Sequence, residues 1–150
     1  MEEKINYNET FGISKQWLDE LFPFHFVIDE WGGVIGFGPL LSKAIKDIEI
    51  DEGVDNLFEY DLLDGEEGEV DITVENLKEK LRAKLRLVGK MVPFKLIGEV
   101  RYFDEANTFL FLGRPYFTQI NQLKRYGINL EDLPLSDPSR KYLELLEGNS

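Results

Sequence analysis

The fold turns on the stretch Phe94-Lys95-Leu96-Ile97-Gly98-Glu99-Val100-Arg101-Tyr102-Phe103-Asp104-Glu105-Ala106-Asn107-Thr108-Phe109-Leu110-Phe111-Leu112-Gly113. Phe94 to Phe103 and Asn107 to Gly113 read as two strands of a hairpin around Asp104-Glu105-Ala106. In the first strand the even positions Phe94, Leu96, Val100 and Tyr102 line one face, and Ile97 and Phe103 interrupt the polarity of the other. The second strand, Phe109-Leu110-Phe111-Leu112, is apolar on both faces. Simple alternation suffices for a sheet with one wet side, so a doubly apolar strand requires cover on both. That second cover is expected from an N-terminal helix, a partner subunit, or both.

Upstream, Val74 to Leu81 has helical spacing, and from Lys80 the pattern turns to alternation, with Leu81, Ala83, Leu85 and Leu87 separated by Lys and Arg. A helix running into a strand is expected there, with Pro93 separating that strand from the next. Phe24 to Asp29 and Gly33 to Gly38, divided by Glu30-Trp31-Gly32, form a first hairpin and bring the sheet to five strands. Pro39 to Asp47 has helical spacing, and the acidic segment to Asp71, anchored by Leu57, Phe58, Leu62 and Leu63, reads as short helices and loops.

At the N-terminus, Ser14 caps a short helix through Phe22, with Ile13 and Leu18 at the staple positions and Pro23 as its stop. Trp17, Leu18 and Leu21 are expected on one face, and a two-turn helix needs that face packed in order to exist. Toward the C-terminus, Ile120 to Tyr126 is a helix ended by Gly127, and Asp137-Pro138 opens a last helix with Tyr142, Leu143 and Leu146 on one side. The expected fold class is α+β: a five-stranded antiparallel sheet with flanking helices and an N-terminal amphipathic helix.

The composition suits one folded domain of 150 residues, 43% hydrophobic and 31% charged. The absence of cysteine excludes disulfides, thiolate metal sites and cysteine nucleophiles. There is no apolar run of roughly 20 residues, and the N-terminus is polar and acidic, so a cytoplasmic chain is expected. Residues 46–79 hold 14 acids against Lys46 and Lys78, which accounts for the whole net charge of −12. Such a surface repels phosphate, so neither nucleic acid nor membrane is expected as a partner.

No catalytic constellation emerges. His25 is the only histidine and lies between Phe24 and Phe26 on a core strand, where a hydrogen-bonded structural histidine outweighs a metal or haem ligand. Gly32 to Gly38 lacks the Lys-Ser/Thr of a phosphate loop. The acids Asp61, Asp64, Glu66, Glu67, Glu69 and Asp71 fail the spacing of a calcium loop, because Gly65 at the sixth position would put Tyr60 at the first. Lys80, Arg82, Lys84 and Arg86 read as the polar face of a strand, able to pair with the acidic loop before them. No catalytic, cofactor or metal residue is assigned.

Several stretches resemble a family, the domain that follows the haem-nitric-oxide-binding domain in soluble guanylate cyclases and some bacterial sensor kinases, termed H-NOXA or HNOBA. Leu21-Phe22-Pro23-Phe24-His25-Phe26-Val27-Ile28-Asp29 resembles its FPFH signature, and Ile72-Thr73-Val74-Glu75 its Ile-Ser-Phe-Gln helix entry. Leu96-Ile97-Gly98-Glu99-Val100 is similar to its Leu-Lys-Gly-Gln-Met pattern, and Phe109 to Pro115 to its strand ending in Gly-Ser-Pro. Leu123 to Leu135 resembles its Leu-x-x-x-Gly-Leu-x-Leu-Ser-Asp-Ile-Pro-Leu run. The resemblance covers residues 21–146. It departs at Ser136-Asp137-Pro138-Ser139-Arg140, where cyclases have His-Asp-Ala-Thr-Arg, and at Met91-Val92-Pro93, where cyclases carry a longer insertion.

The resemblance implies a PAS-like fold without catalytic residues or a cofactor, which dimerises with itself or a paralogous domain and relays a signal between adjacent sensor and output domains. The parent would be a sensor histidine kinase or a nucleotide-cyclase-like receptor. The implied organisation is an N-terminal helical dimerisation segment at 1–23, a PAS-like core at 24–135 and the start of a C-terminal connector helix at 136–150. The expected seam is Ile13, Trp17, Leu21, Phe24, Phe26, Phe109 and Phe111. The alternative is a PAS-like sensor that encloses a small molecule or haem.

Overall fold

The computed structural model describes residues 4–61 and 72–148, so Leu62, Leu63 and the acids from Asp64 to Asp71 lie outside the described residues. The chain opens with α1 (Tyr7–Phe11) and α2 (Lys15–Leu21), then a hairpin of β1 (Phe26–Ile28) and β2 (Val34–Phe37). Helices α3 (Pro39–Ala44) and α4 (Val54–Leu57) lead into β3 (Phe58–Tyr60). After α5 (Val74–Glu79) come β4 (Leu85–Gly89), β5 (Lys95–Phe103) and β6 (Thr108–Pro115), followed by α6 (Ile120–Arg125) and α7 (Pro138–Gly148).

The six strands form one antiparallel sheet in the order β2-β1-β6-β5-β4-β3. The expected five are present, and β3 is a sixth at the edge, in a segment read as helices and loops. Three residues with a single alternation carry no periodic signal of a strand. Tertiary packing makes it one: Phe58 stacks on Phe26 at 5.5 Å between ring centroids, and Phe26 stacks on Phe111 at 4.8 Å. Since β3 and β1 stand near opposite edges, this stack closes a curled sheet over its own inner face.

That inner face carries Phe26, Ile28, Leu85, Leu87, Leu96, Val100, Phe109 and Phe111 against Leu41 of α3, Leu57 of α4, Leu77 of α5, Leu123 of α6 and Leu143 of α7. The even positions of the deciding hairpin face inward as expected. Strand β4 begins later than the alternation suggested, because Arg82 takes a left-handed φ of 65° and leaves Leu81 half exposed.

The outer face holds a second, smaller core of Val27, Ile35 and Leu110, covered by Tyr7 of α1 and Leu18 of α2, with Phe11 stacked edge-on against Phe103 at 4.7 Å. The doubly apolar β6 is therefore covered on its second side by the chain's own N-terminal helices. Ser14 caps α2 as expected, its Oγ accepting from Trp17 N–H at 3.1 Å. Helix α1 is an element beyond those expected from the sequence. Its five residues are held by the Asn6 cap, by a left-handed Gly12 at its end, and by the burial of Tyr7.

Candidate functional site

The N-terminal helices are attached to the sheet through a buried polar contact. His25 is fully buried at the mouth of β1. Its Nδ1 lies 2.8 Å from the Phe22 carbonyl, which can only accept, so Nδ1 carries the proton and donates. Nε2 is then bare and accepts from the Tyr7 hydroxyl at 3.0 Å. Burial pushes the imidazole pKa down from 6.5 to about 4, against the raising effects of the Phe22 carbonyl and the Asp19 carboxylate 3.8 Å away. The ring is thus a neutral clasp between α1, the end of α2 and β1, which is the structural role expected for it.

Two glycines make that clasp possible. A Cβ on Gly36 would lie 2.5 Å from the Tyr7 hydroxyl, and one on Gly38 would lie 2.2 Å from the Pro23 carbonyl oxygen and 3.0 Å from His25 Nδ1. The glycine-rich run is therefore explained by close approach of the Leu21–His25 turn and of Tyr7.

Helix α2 divides its apolar residues between two directions. Leu18 points into the outer-face core, whereas Trp17 is 60% and Leu21 48% exposed. The single apolar face expected for Trp17, Leu18 and Leu21 is split, because the sheet lies under only one side of the helix. Ile13 is half-buried. Phe24, Phe26, Phe109 and Phe111 are all buried in the chain's own inner core, so their side chains are not available to a second chain. Of the expected seam, the surface carries Trp17 and Leu21, with Ile13 at its margin.

Beside α2 the outer face of β5 and β6, with the segment that leads into β4, stays open as a groove of about 440 Å3. Phe22, Ile97 and Leu112 supply apolar lining, and Arg82, Lys84, Arg114 and Glu99 line it with charge. Arg114 carries no sign of this groove in the sequence, because its neighbours there come from Phe22, from the segment before β4 and from β5. Of Lys80, Arg82, Lys84 and Arg86, expected as the polar face of a strand, Arg82 and Lys84 line the groove from the segment that precedes β4.

At the other end, α7 is held by its cap. Asp137 is buried, its Oδ1 accepts from Ser139 N–H at 2.8 Å, and burial pushes its carboxyl pKa up. Ser139 Oγ donates to the Pro115 carbonyl at 3.0 Å and Arg140 Nη1 to the Leu133 carbonyl at 2.8 Å. Leu143 is buried, while Tyr142, Leu145 and Leu146 are exposed. Only part of the face expected on this helix is covered by the chain.

Between the sheet and its inner helices the described residues leave a void of about 10 Å3, lined by Phe26, Ile28, Leu87, Val100, Phe109 and Phe111 among others. Small-molecule pockets run to roughly 300–1,000 Å3, so this space is filled by side chains. Among the described residues no group of three or more His, Asp or Glu side chains is placed to hold a metal. No helix among them is long and apolar enough to cross a membrane.

A family model described as Heme NO binding associated, HNOBA, matches residues 64–146, more than half of the chain. The chain belongs to the HNOBA family. The match takes in β4, the two strands β5 and β6 that line the open groove, and most of α7 with its cap. This HNOBA chain is similar to soluble guanylate cyclase gcy-32 of Caenorhabditis elegans, 25% identical over 92% of the chain. It is 24% identical to the head-specific guanylate cyclase of Drosophila melanogaster over 83% of the chain. To the human guanylate cyclase soluble subunit alpha-2 it is 28% identical over 79%. The alignments span only 25%, 19% and 17% of those relatives' own lengths. The HNOBA chain is thus related to a haem-NO-binding-associated region and to guanylate cyclases, as the C-terminal motifs implied.

Proposed function

We propose that this chain is a pairing and relay module: two copies, or one copy and a paralogous domain, associate through α2 and pass the state of an adjacent sensor domain to an output domain through α7. In this reading residues 1–23 are the pairing segment, 24–135 a PAS-like core and 136–150 the start of the connector. The parent is a cytoplasmic sensor histidine kinase or nucleotide-cyclase-like receptor. The order β2-β1-β6-β5-β4, with β3 added at the edge, supports the PAS-like reading.

The observation that carries the proposal is α2 itself. It seals the outer sheet face with Leu18 yet leaves Trp17 and Leu21 bare on the opposite side. A large aromatic and a leucine exposed one turn apart are the kind of anchors that dominate protein interfaces. The exposed Tyr142, Leu145 and Leu146 on α7 supply a second stripe at the point where a connector would leave the domain.

Size-exclusion chromatography with light scattering across a dilution series tests it. The expected result is a dimer that persists into the low micromolar range, and a folded monomer for the double substitution Trp17→Glu, Leu21→Glu. A wild-type chain that is monomeric throughout, or a dimer indifferent to the double substitution, would sink the proposed seam.

A further inference from the structure

A second cleft, of about 450 Å3, opens among the helices of the inner face. It lies between the end of α3, α4, the turn that joins β4 to β5, and the end of α6. It shares no lining residue with the void beneath the Phe58–Phe26–Phe111 stack or with the outer groove. Small-molecule pockets run to roughly 300–1,000 Å3, so this cleft has room for a compact organic molecule.

Its floor is apolar. Ile45, Leu57 and Tyr126 are buried residues of the inner core, and Val92 and Pro93 extend the floor along the β4–β5 turn. Above that floor stand bases from two walls: Lys43 and Lys46 from α3 and the turn after it, and Arg125 from the last turn of α6. Lys43 is drawn aside by Asp132, 3.6 Å away and outside the cleft, whereas Lys46 and Arg125 are exposed. Asp47 and Glu52 line the same wall as the lysines, and among the described residues the α6 wall presents Arg125 without an acid.

That distribution selects the charge of an occupant. Arg125 offers a planar fork that matches a carboxylate or sulfonate, and Lys46 strengthens the local positive field. A second negative charge further into the cleft would meet Asp47 or Glu52 and be repelled.

We propose that this cleft binds a small organic monoanion, an aromatic or branched-alkyl carboxylate or sulfonate. Its acid group sits on Arg125 with Lys46 beside it, and its apolar body lies over Ile45, Leu57 and Pro93. Arg125 closes α6, the helix that precedes α7, so an occupant held there braces the approach to that last helix against the β4–β5 turn. The site is distant in the fold from the exposed side of α2 and does not depend on pairing.

Fluorescence titration of the full chain with 1-anilinonaphthalene-8-sulfonate tests it, with folding checked by circular dichroism. Wild type should give saturable one-to-one binding, and the pair Lys46→Gln, Arg125→Gln should weaken it about tenfold or more. The pair Arg82→Gln, Lys84→Gln changes the net charge equally but lies in the outer groove, and it should leave binding as in wild type. The uncharged analogue N-phenyl-1-naphthylamine should bind about tenfold or more weakly than the sulfonate. All four positions are exposed, so the substitutions do not disturb the core. No saturable binding, binding that survives Lys46→Gln, Arg125→Gln, binding lost instead with the outer-groove pair, or equal binding of the uncharged analogue each overturns the assignment.

Discussion

His25 titrates in two very different settings, near 6.5 when the chain is unfolded and near 4 in its buried clasp. Between those values the unfolded chain holds the extra proton, so stability rises with pH across the window. The contribution from keeping the ring neutral is complete above about 6.5 and is lost as pH falls through about 4. It amounts to something on the order of 3 kcal/mol. Asparagine in its place retains a donor toward Phe22 but does not titrate. Urea unfolding of His25→Asn should therefore lose less stability between neutral pH and about pH 4 than wild type does, by roughly that amount. Equal pH dependence of the two proteins would remove the clasp as the cause.

Helix α2 serves two ends with neighbouring side chains, and the two can be separated. Leu18 fills the outer-face core with Tyr7, Val27, Ile35 and Leu110, so Leu18→Ala should cost about 2–4 kcal/mol in urea unfolding. Trp17→Ala, one residue earlier and 60% exposed, should change monomer stability by no more than about 0.5 kcal/mol. A large loss on removing Trp17 from a dilute, monomeric sample would mean that the indole supports the fold. The cap of α2, the β1–β2 and β5–β6 hairpins and the Asp137 start of α7 were all legible from turn and capping chemistry, which acts within a few residues. Helix α1 and strand β3 were not. Each is held by one aromatic, Tyr7 or Phe58, whose partner lies far along the chain.

At the scale of the whole molecule, the void directly beneath the Phe58–Phe26–Phe111 stack on the inner face of the sheet is about 10 Å3 among the described residues. Titration with haemin is expected to give no shifted Soret band, and a stoichiometric one would mean that the core opens to admit a ligand. The charge is distributed to the same effect. The acid excess lies in residues 46–79, whereas Arg82, Lys84 and Arg114 gather on the outer sheet face beside α2. The chain spans no more than a quarter of the length of the guanylate cyclases it matches.

The sequence by itself determined the α+β class, five of the six strands, the requirement for cover on both faces of β6, and the family. These follow from alternation, caps and contiguous motifs, all of which are local. Only the tertiary structure decided which residues that cover would use. Phe24, Phe26, Phe109 and Phe111 could be read as core or as seam, because apolarity does not say which chain a side chain will touch. The curl of the sheet drew all four inside. The side of α2 on which the sheet lies then turned Leu18 inward and left Trp17, Glu20 and Leu21 facing out beside a basic groove assembled from β5, β6 and the segment before β4.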